Sequence, residues 1–243
     1  KVLKNYNYKD TKKLYDSLFK INVKLFFNTD KDDTATSKST IYYRTSQGYQ
    51  ESYGHYQVGS IAVRVLSFDD SALRPDFWEN MLARALEVRV ACGLHPRAAA
   101  SAGADSVSGP DTNCYRLVHG EGDNLPGLII DYYDGVCVLQ AHSEGMFRAK
   151  KQICDALRVV YGSELKAVYD KSSGTAPFKA GLELIDGYLY RRDDFHKNEL
   201  AVLENGQKFL VNWTEGQKTG FFLDQRDNRA LVGSVARGRN VLN

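Results

Sequence analysis

The sequence predicts an α+β protein whose strands pair mostly antiparallel. Three observations carry this. Short runs rich in β-branched and aromatic residues recur along the chain, and two longer runs carry apolar residues at helical spacing. Asp-Gly or Asn-Gly stands between neighbouring strand-like runs at 134–135, 186–187 and 205–206, the dipeptides that tight hairpins favour. The 243 residues suit one large domain or two to three small ones. A 43% hydrophobic content is enough to build cores.

The elements follow in order. Before Tyr53 almost every basic residue is Lys, with Arg44 the exception, and after it Arg outnumbers Lys. "DSLFKINVKLFF" (Asp16 to Phe27) contains a strand-like run, "KDDTATSK" after it reads as a loop, and "STIYYRTS" (Ser39 to Ser46) reads as a strand. "GSIAVRVLSF" (Gly59 to Phe68) is a further strand. Arg74 to Gly93 predicts a helix: Pro75 and Asp76 suit its first turn, Gly93 its stop. Phe77, Met81, Leu82, Ala85, Leu86 and Val88 form its apolar stripe. His95 to Asp111 is rich in Ala, Ser and Gly and reads as a linker or flexible loop.

A second unit opens with strands at Tyr115–Val118, Leu128–Tyr132 and Val136–Ala141, the last two joined by the Asp134–Gly135 turn. Gly145 to Gly162 is an amphipathic helix. "LKAVYDKS" is a strand. "GLELIDGYLYRR" and "LAVLENGQKFLVNW" read as hairpins turning on Asp186–Gly187 and Asn205–Gly206. "QRDNRALVGSVARG" is a helix with Gly238 as its stop and Asp224 or Asp227 in its first turn. "RNVLN" begins a new strand.

Composition narrows the function classes. A net charge of +2 does not announce a nucleic-acid binder, though it permits a local basic face. No apolar run approaches the roughly 18–20 residues of a membrane span, and "KVLKNYNYKD" lacks the apolar core of a signal peptide. Cys92, Cys114, Cys137 and Cys154 are too widely spaced for a zinc site or a dense disulfide framework. They read as reduced thiols of a cytosolic protein, and no metal site is expected. Three polar stretches have bland readings. In "HGEGDNLPG", His119, Glu121 and Asp123 suggest acid/base work or a metal, yet the Gly and Pro content favours turn chemistry. "YDKSSGTAPFK", with Lys171 and Lys179, lacks the ending of a phosphate-binding P-loop. "YLYRRDDFHK" alternates Arg191, Arg192, His196 and Lys197 with Asp193 and Asp194, as a solvated surface does.

"EGDNLPGLIIDYY" (Glu121 to Tyr133), followed by "GQKTGFFLDQRDNR" (Gly216 to Arg229) and then "RNVLN", resembles the bacterial RlmI-type ribosomal RNA methyltransferases. The resemblance covers about Gly54 to Asn243. It implies methylation of carbon 5 of a cytosine in large-subunit ribosomal RNA, with S-adenosylmethionine as cofactor, ribosomal RNA as partner and the cytoplasm as location. It also implies a PUA-like RNA-binding β-barrel over 1–70, a helix and flexible linker over 71–111, and a central α+β domain over 112–213. Residues 214–243 would start a Rossmann-like methyltransferase domain. Two features depart from the family. Residues 1–52 lack its Arg-rich "HPW"-like segment, and His95 to Asp111 looks like an insertion. The family's cofactor loop and catalytic Cys would follow "VLN", so the chain is expected to stop short of them and, alone, to be inactive. None of its four cysteines would be catalytic.

The resemblance places the Lys218-Thr219-Gly220 turn and the following helix beneath the cofactor. Lys218, Thr219 and Phe222 would line the pocket, with Asp224, Gln225 and Arg226 supplying polar contacts. A second reading of the same residues is structural: Asp224 starts the helix, Arg226 and Arg229 pair with acids, and Phe221 and Leu223 are core. At the level of the whole chain, the alternative to a methyltransferase part is a non-catalytic RNA-binding module that reads shape and phosphates. A scaffold without RNA contact is a third option.

Overall fold

The computed structural model describes residues 38–45, 48–57, 61, 63–97, 111–177 and 182–240. The strand and loop expected before residue 38 and the strand expected at "RNVLN" lie outside these residues. Three strands come first: β1 (Lys38–Thr45), β2 (Gly48–Tyr56) and β3 (Val63–Ser67). They pair antiparallel in the order β1-β2-β3. β1 and β3 stand where the sequence places strands, whereas β2 adds to the expected set. Its two glycines and polar residues hide its propensity, and pairing on both edges supplies what propensity does not. A side chain at Gly54 would collide with the Arg64 carbonyl, and the β2–β3 register slips at that point. Among the described residues the three strands form an open sheet, not the closed barrel that the resemblance implies.

The first helix, α1 (Phe77–Ala91), buries Phe77, Trp78, Leu82, Ala85 and Leu86. Pro75 and Asp76 precede it, and Val88 of the expected stripe is exposed. Trp78 lies in the stripe instead, and its indole N–H donates to Gln152 of the next helix at 3.0 Å.

The central sheet has five strands in the order β4-β5-β6-β7-β8: β4 (Cys114–His119), β5 (Leu128–Tyr133), β6 (Val136–Ala141), β7 (Ala167–Asp170) and β8 (Gly187–Arg191). Every neighbouring pair is antiparallel except β6–β7. A parallel pair needs a long crossover, and α2 (Glu144–Tyr161) provides it. Ser143 caps that helix by accepting from the Met146 N–H, and Gly162, at positive φ, ends it. The β5–β6 hairpin turns on Asp134 (φ 43°) and Gly135 (φ 92°), as the dipeptide predicts. β9 (Glu199–Glu204) and β10 (Gln207–Asn212) form a separate hairpin turning on Asn205 and Gly206. The hairpin expected around Asp186–Gly187 does not form. Residues 182–186 are irregular, and β8 pairs with β7 instead. The Asp186 carboxylate accepts from the Ser173 N–H, which ties the segment to the loop after β7.

Strand alternation splits the interior in two. Leu128, Ile130, Tyr132, Cys137 and Leu139 face α1 and α2. Tyr133, Val136 and Val138 face the other way and pack with Val202, Val211, Trp213 and Leu223. The second face therefore lies under the β9–β10 hairpin and the loop that follows it. Side chain and backbone of Asn113 both bond Leu203, anchoring that hairpin to the start of β4.

The first residue of the linker expected over His95 to Asp111 is packed in the core. His95 is 3% exposed and sits against Tyr115, Tyr132 and Tyr161, with ring centroids 5.6–6.1 Å away. Residues 98–110 lie outside the described ones. Burial lowers the His95 pKa below its ordinary 6.5, and the Glu164 carboxylate offsets this only in part. The unfolded chain thus takes up a proton where the folded chain does not, so stability falls as pH drops below about 6.5. The melting temperature should fall between pH 7.5 and pH 5.5, and His95→Phe should flatten that fall. An equal fall in both proteins would exclude His95 as its source.

Candidate functional site

The loop from Trp213 to Gln225 folds back on Asn212. The Asn212 side-chain oxygen accepts from the Thr214 and Glu215 N–H groups and from the Thr214 hydroxyl, a side-chain-closed turn. Gly216 and Gly220 then pass against the Asn212 backbone. A Cβ on Gly220 would lie 2.8 Å from the Asn212 carbonyl oxygen, and one on Gly216 would collide with it. Gly220 also sits at φ 118°, a region open to glycine alone. Lys171 donates to the Gly216 carbonyl from below.

Thr219 is wholly buried. Its hydroxyl donates to Asp131 at 2.6 Å and accepts from the Tyr133 hydroxyl at 2.8 Å. Asp131, also wholly buried, accepts a two-pronged contact from Arg116 at 2.8 and 3.1 Å. That carboxylate raises the Arg116 pKa. One buried acid thus ties β4, β5 and the 213–225 loop together. Asp131 interrupts the apolar strand "LIIDYY", and this single charge at a core position is the signal by which the sequence could have revealed it.

The six expected cofactor residues divide into two groups. Lys218, Phe222, Asp224 and Gln225 are exposed and adjacent. Lys218, itself at φ 52°, places its ammonium 4.5 Å from the Phe222 ring centre and 3.2 Å from Asp224. Hydrogen bonds from Lys218 and then Gln225 hold the Asp224 pKa below its ordinary value. Thr219 and Arg226 point inward. Arg226 donates to the Cys114 carbonyl at 2.7 Å and lies 3.5 Å from Glu204. Arg229 grips Glu204 at 2.7 and 2.8 Å and lies over Phe221. These two arginines pin the last helix, α3 (Arg226–Ala236), to the end of β9. Leu231, Val232 and Val235 leave an apolar stripe on α3 exposed.

The donor set of the exposed group fits S-adenosylmethionine: an aromatic face, a carboxylate for its ammonium, and an ammonium and an amide for its carboxylate. None of the three buried thiols resembles an activated nucleophile. Burial pushes Cys114 up to about 12 and Cys154 up to about 11, and raises Cys137 as well. Low pKa, not high, marks reactive cysteines. Among the described residues no cluster of His, Cys, Asp and Glu is suited to a metal, and no helix is long and apolar enough to cross a membrane.

Comparison with known proteins gives a consistent direction. No family model matches the chain. Over 184 residues, 75% of this chain, it is 35% identical to ribosomal RNA large subunit methyltransferase I of Shewanella amazonensis. Over 129 residues it is 41% identical to the protein of the same name from Pseudoalteromonas atlantica, a match covering 53% of this chain and 31% of that one. The chain spans less than half the length of these curated relatives, 42% for the Shewanella protein. The fold resembles a candidate SAM-dependent methyltransferase from Streptococcus mutans, with a TM-score of 0.59 and 19% identity over 90% of this chain and 52% of that one. A solved structure with the same TM-score and identity, covering 89% of this chain and 50% of the other, holds SAH.

Proposed function

We propose that this chain is the RNA-positioning and cofactor-edge portion of an S-adenosylmethionine-dependent methyltransferase that modifies carbon 5 of a cytosine in large-subunit ribosomal RNA. The observation that carries the reading is the hydrogen-bonded 213–225 loop. It is anchored from beneath by Thr219 and Asp131 and presents Lys218, Phe222, Asp224 and Gln225 outward. When bound, the cofactor supplies an electrophilic methyl group, and these four side chains hold its ends. Thr219 and Arg226 act indirectly by fixing the loop and the helix behind it. Residues 1–70 correspond to a PUA-like RNA-binding unit, 112–213 to the central domain and 214–243 to the lead into a Rossmann-like domain. The exposed stripe of Leu231, Val232 and Val235 is the surface on which that domain packs.

Two measurements test this. The reading frame beyond Asn243 should encode a glycine-containing loop, an acidic residue ending the next strand and a later Cys motif. The product of the complete frame should transfer methyl groups from S-adenosylmethionine to unmodified large-subunit ribosomal RNA, mapped to cytosine carbon 5. Asp224→Ala in that protein should weaken cofactor binding about ten-fold without lowering the melting temperature. Methyl transfer to a different atom, or an unchanged affinity in the variant, would count against the reading.

A further inference from the structure

Arg64 on β3 carries a guanidinium whose Nε and Nη1 donors are closed off from solvent and meet no acceptor. Leaving such donors unmatched is costly, so the arrangement needs an explanation. The Arg64 side chain runs beside Gly127 and Ser143, close enough that a Cβ on Gly127 would lie 3.3 Å from its Cδ. His142, after β6, lies within electrostatic reach of both Arg64 and Arg116, the latter on β4. The His119 Nδ1 is 3.4 Å from the Arg116 guanidinium, and the His142 backbone N–H donates to the Gly127 carbonyl. The acids nearby are mostly committed elsewhere. Asp131 is taken by Arg116 and Asp123 by Arg89, 2.8 Å apart at Nη2. Among the described residues, Glu121 is the acid that acts on Arg64. Burial lowers the Arg64 pKa and Glu121 offsets this in part. His142 is likewise lowered by burial, then by Arg116 and Arg64, with Glu121 opposing. Arg116 also links this cluster to the cofactor-side loop, through Asp131 to Thr219.

We propose that Arg64, Arg116 and His142 form an oxyanion site that holds a backbone phosphate of the substrate RNA beside the cofactor-side loop. A phosphodiester supplies the acceptors that Arg64 lacks, and arginine forks match its geometry. Its charge also draws a proton onto His142. The site joins the first sheet to the central one, so RNA held there spans both. This assignment rests on the RNA methyltransferase reading, although the oxyanion chemistry does not.

Titrating the chain with inorganic phosphate against a chloride background, while following the His142 ring by NMR, tests the chemistry. A saturable shift with a rise in the His142 pKa is expected, weakened about ten-fold in Arg64→Gln. A ring that phosphate leaves unmoved would overturn the site. Binding of a large-subunit ribosomal RNA transcript across a salt series tests the source. The slope of log affinity against log salt should drop by about one in Arg64→Gln and stay unchanged in Arg64→Lys. Equal slopes in wild type and Arg64→Gln would overturn the RNA assignment while leaving RNA binding intact. Phosphate binding without any RNA retention would remove both that assignment and the reading it rests on. Arg64→Gln removes a guanidinium whose Nε and Nη1 donors meet no acceptor, so its melting temperature should match or exceed that of wild type. This separates lost binding from lost folding.

Discussion

An Asp131→Ala variant is expected to lose about 3–5 kcal/mol of unfolding free energy. Asp131 is fully buried and is the acceptor for three donated hydrogen bonds, two from Arg116 and one from Thr219. Truncation leaves the Arg116 charge, only 30% exposed, without its partner and the Thr219 hydroxyl without its acceptor. Deleting one half of a buried pair costs more than the pair contributes, because the remaining charge stays desolvated. Thr219→Val should cost less, about 1–3 kcal/mol, since it removes a neutral group and strands only the Tyr133 hydroxyl and one carboxylate lone pair. The two substitutions share a network and should not add. Equilibrium urea unfolding of both single variants and the double variant measures this. A loss below about 1 kcal/mol for Asp131→Ala is what a solvated surface pair would give, and would show that the loop is not anchored through this acid.

The elements legible in the sequence are those whose cause is local. Asp134–Gly135 and Asn205–Gly206 adopt the left-handed angles that tight hairpins require, and strands flank each turn. Asp186–Gly187 carries the same dipeptide, but residues 182–186 have no partner strand, so no hairpin follows. β2 is not legible in the sequence because its stability comes from neighbours on both edges and not from its own residues. The candidate site shows the same division. The stretch Gly216 to Arg229 is legible as a polar turn leading into a helix, and it does form one compact feature. Its sorting into outward and inward side chains depends on partners far away in sequence. Thr219 meets Asp131 across 88 positions, and Arg226 reaches the Cys114 carbonyl across 112. The structural reading of that stretch gains firm contacts: Arg226 and Arg229 pair with Glu204, Leu223 is buried and Phe221 packs against the second core. The two readings share Asp224 and Arg226; the structure gives Arg226 the contacts of the structural reading and leaves Asp224 at the surface beside Lys218. Arg64 gave no signal at all, since an Arg in a strand reads as solvent-facing until its surroundings are known.

Glu204→Ala is expected to have an effect of comparable size, about 3–5 kcal/mol, and to release α3. Glu204 is 2% exposed and neutralises two arginines, Arg226 and Arg229, whose side chains are 19% and 25% exposed. α3 has no buried residues of its own, so these ion pairs and the Arg226 bond to Cys114 do most of the holding. A triple variant, Glu204→Leu with Arg226→Met and Arg229→Met, should recover much of the lost stability, because apolar groups of similar volume often replace a buried ion cluster at little cost. Function should separate from stability here. On the methyltransferase reading proposed above, Glu204→Ala in the complete protein should lower the methyl-transfer rate by about 10²-fold, since it lets Gln225 and Asp224 drift from their positions. The triple variant should regain activity if Arg226 only positions the helix. If stability returns and activity does not, Arg226 itself contacts the cofactor, and the inward orientation seen here would be one of two positions it takes.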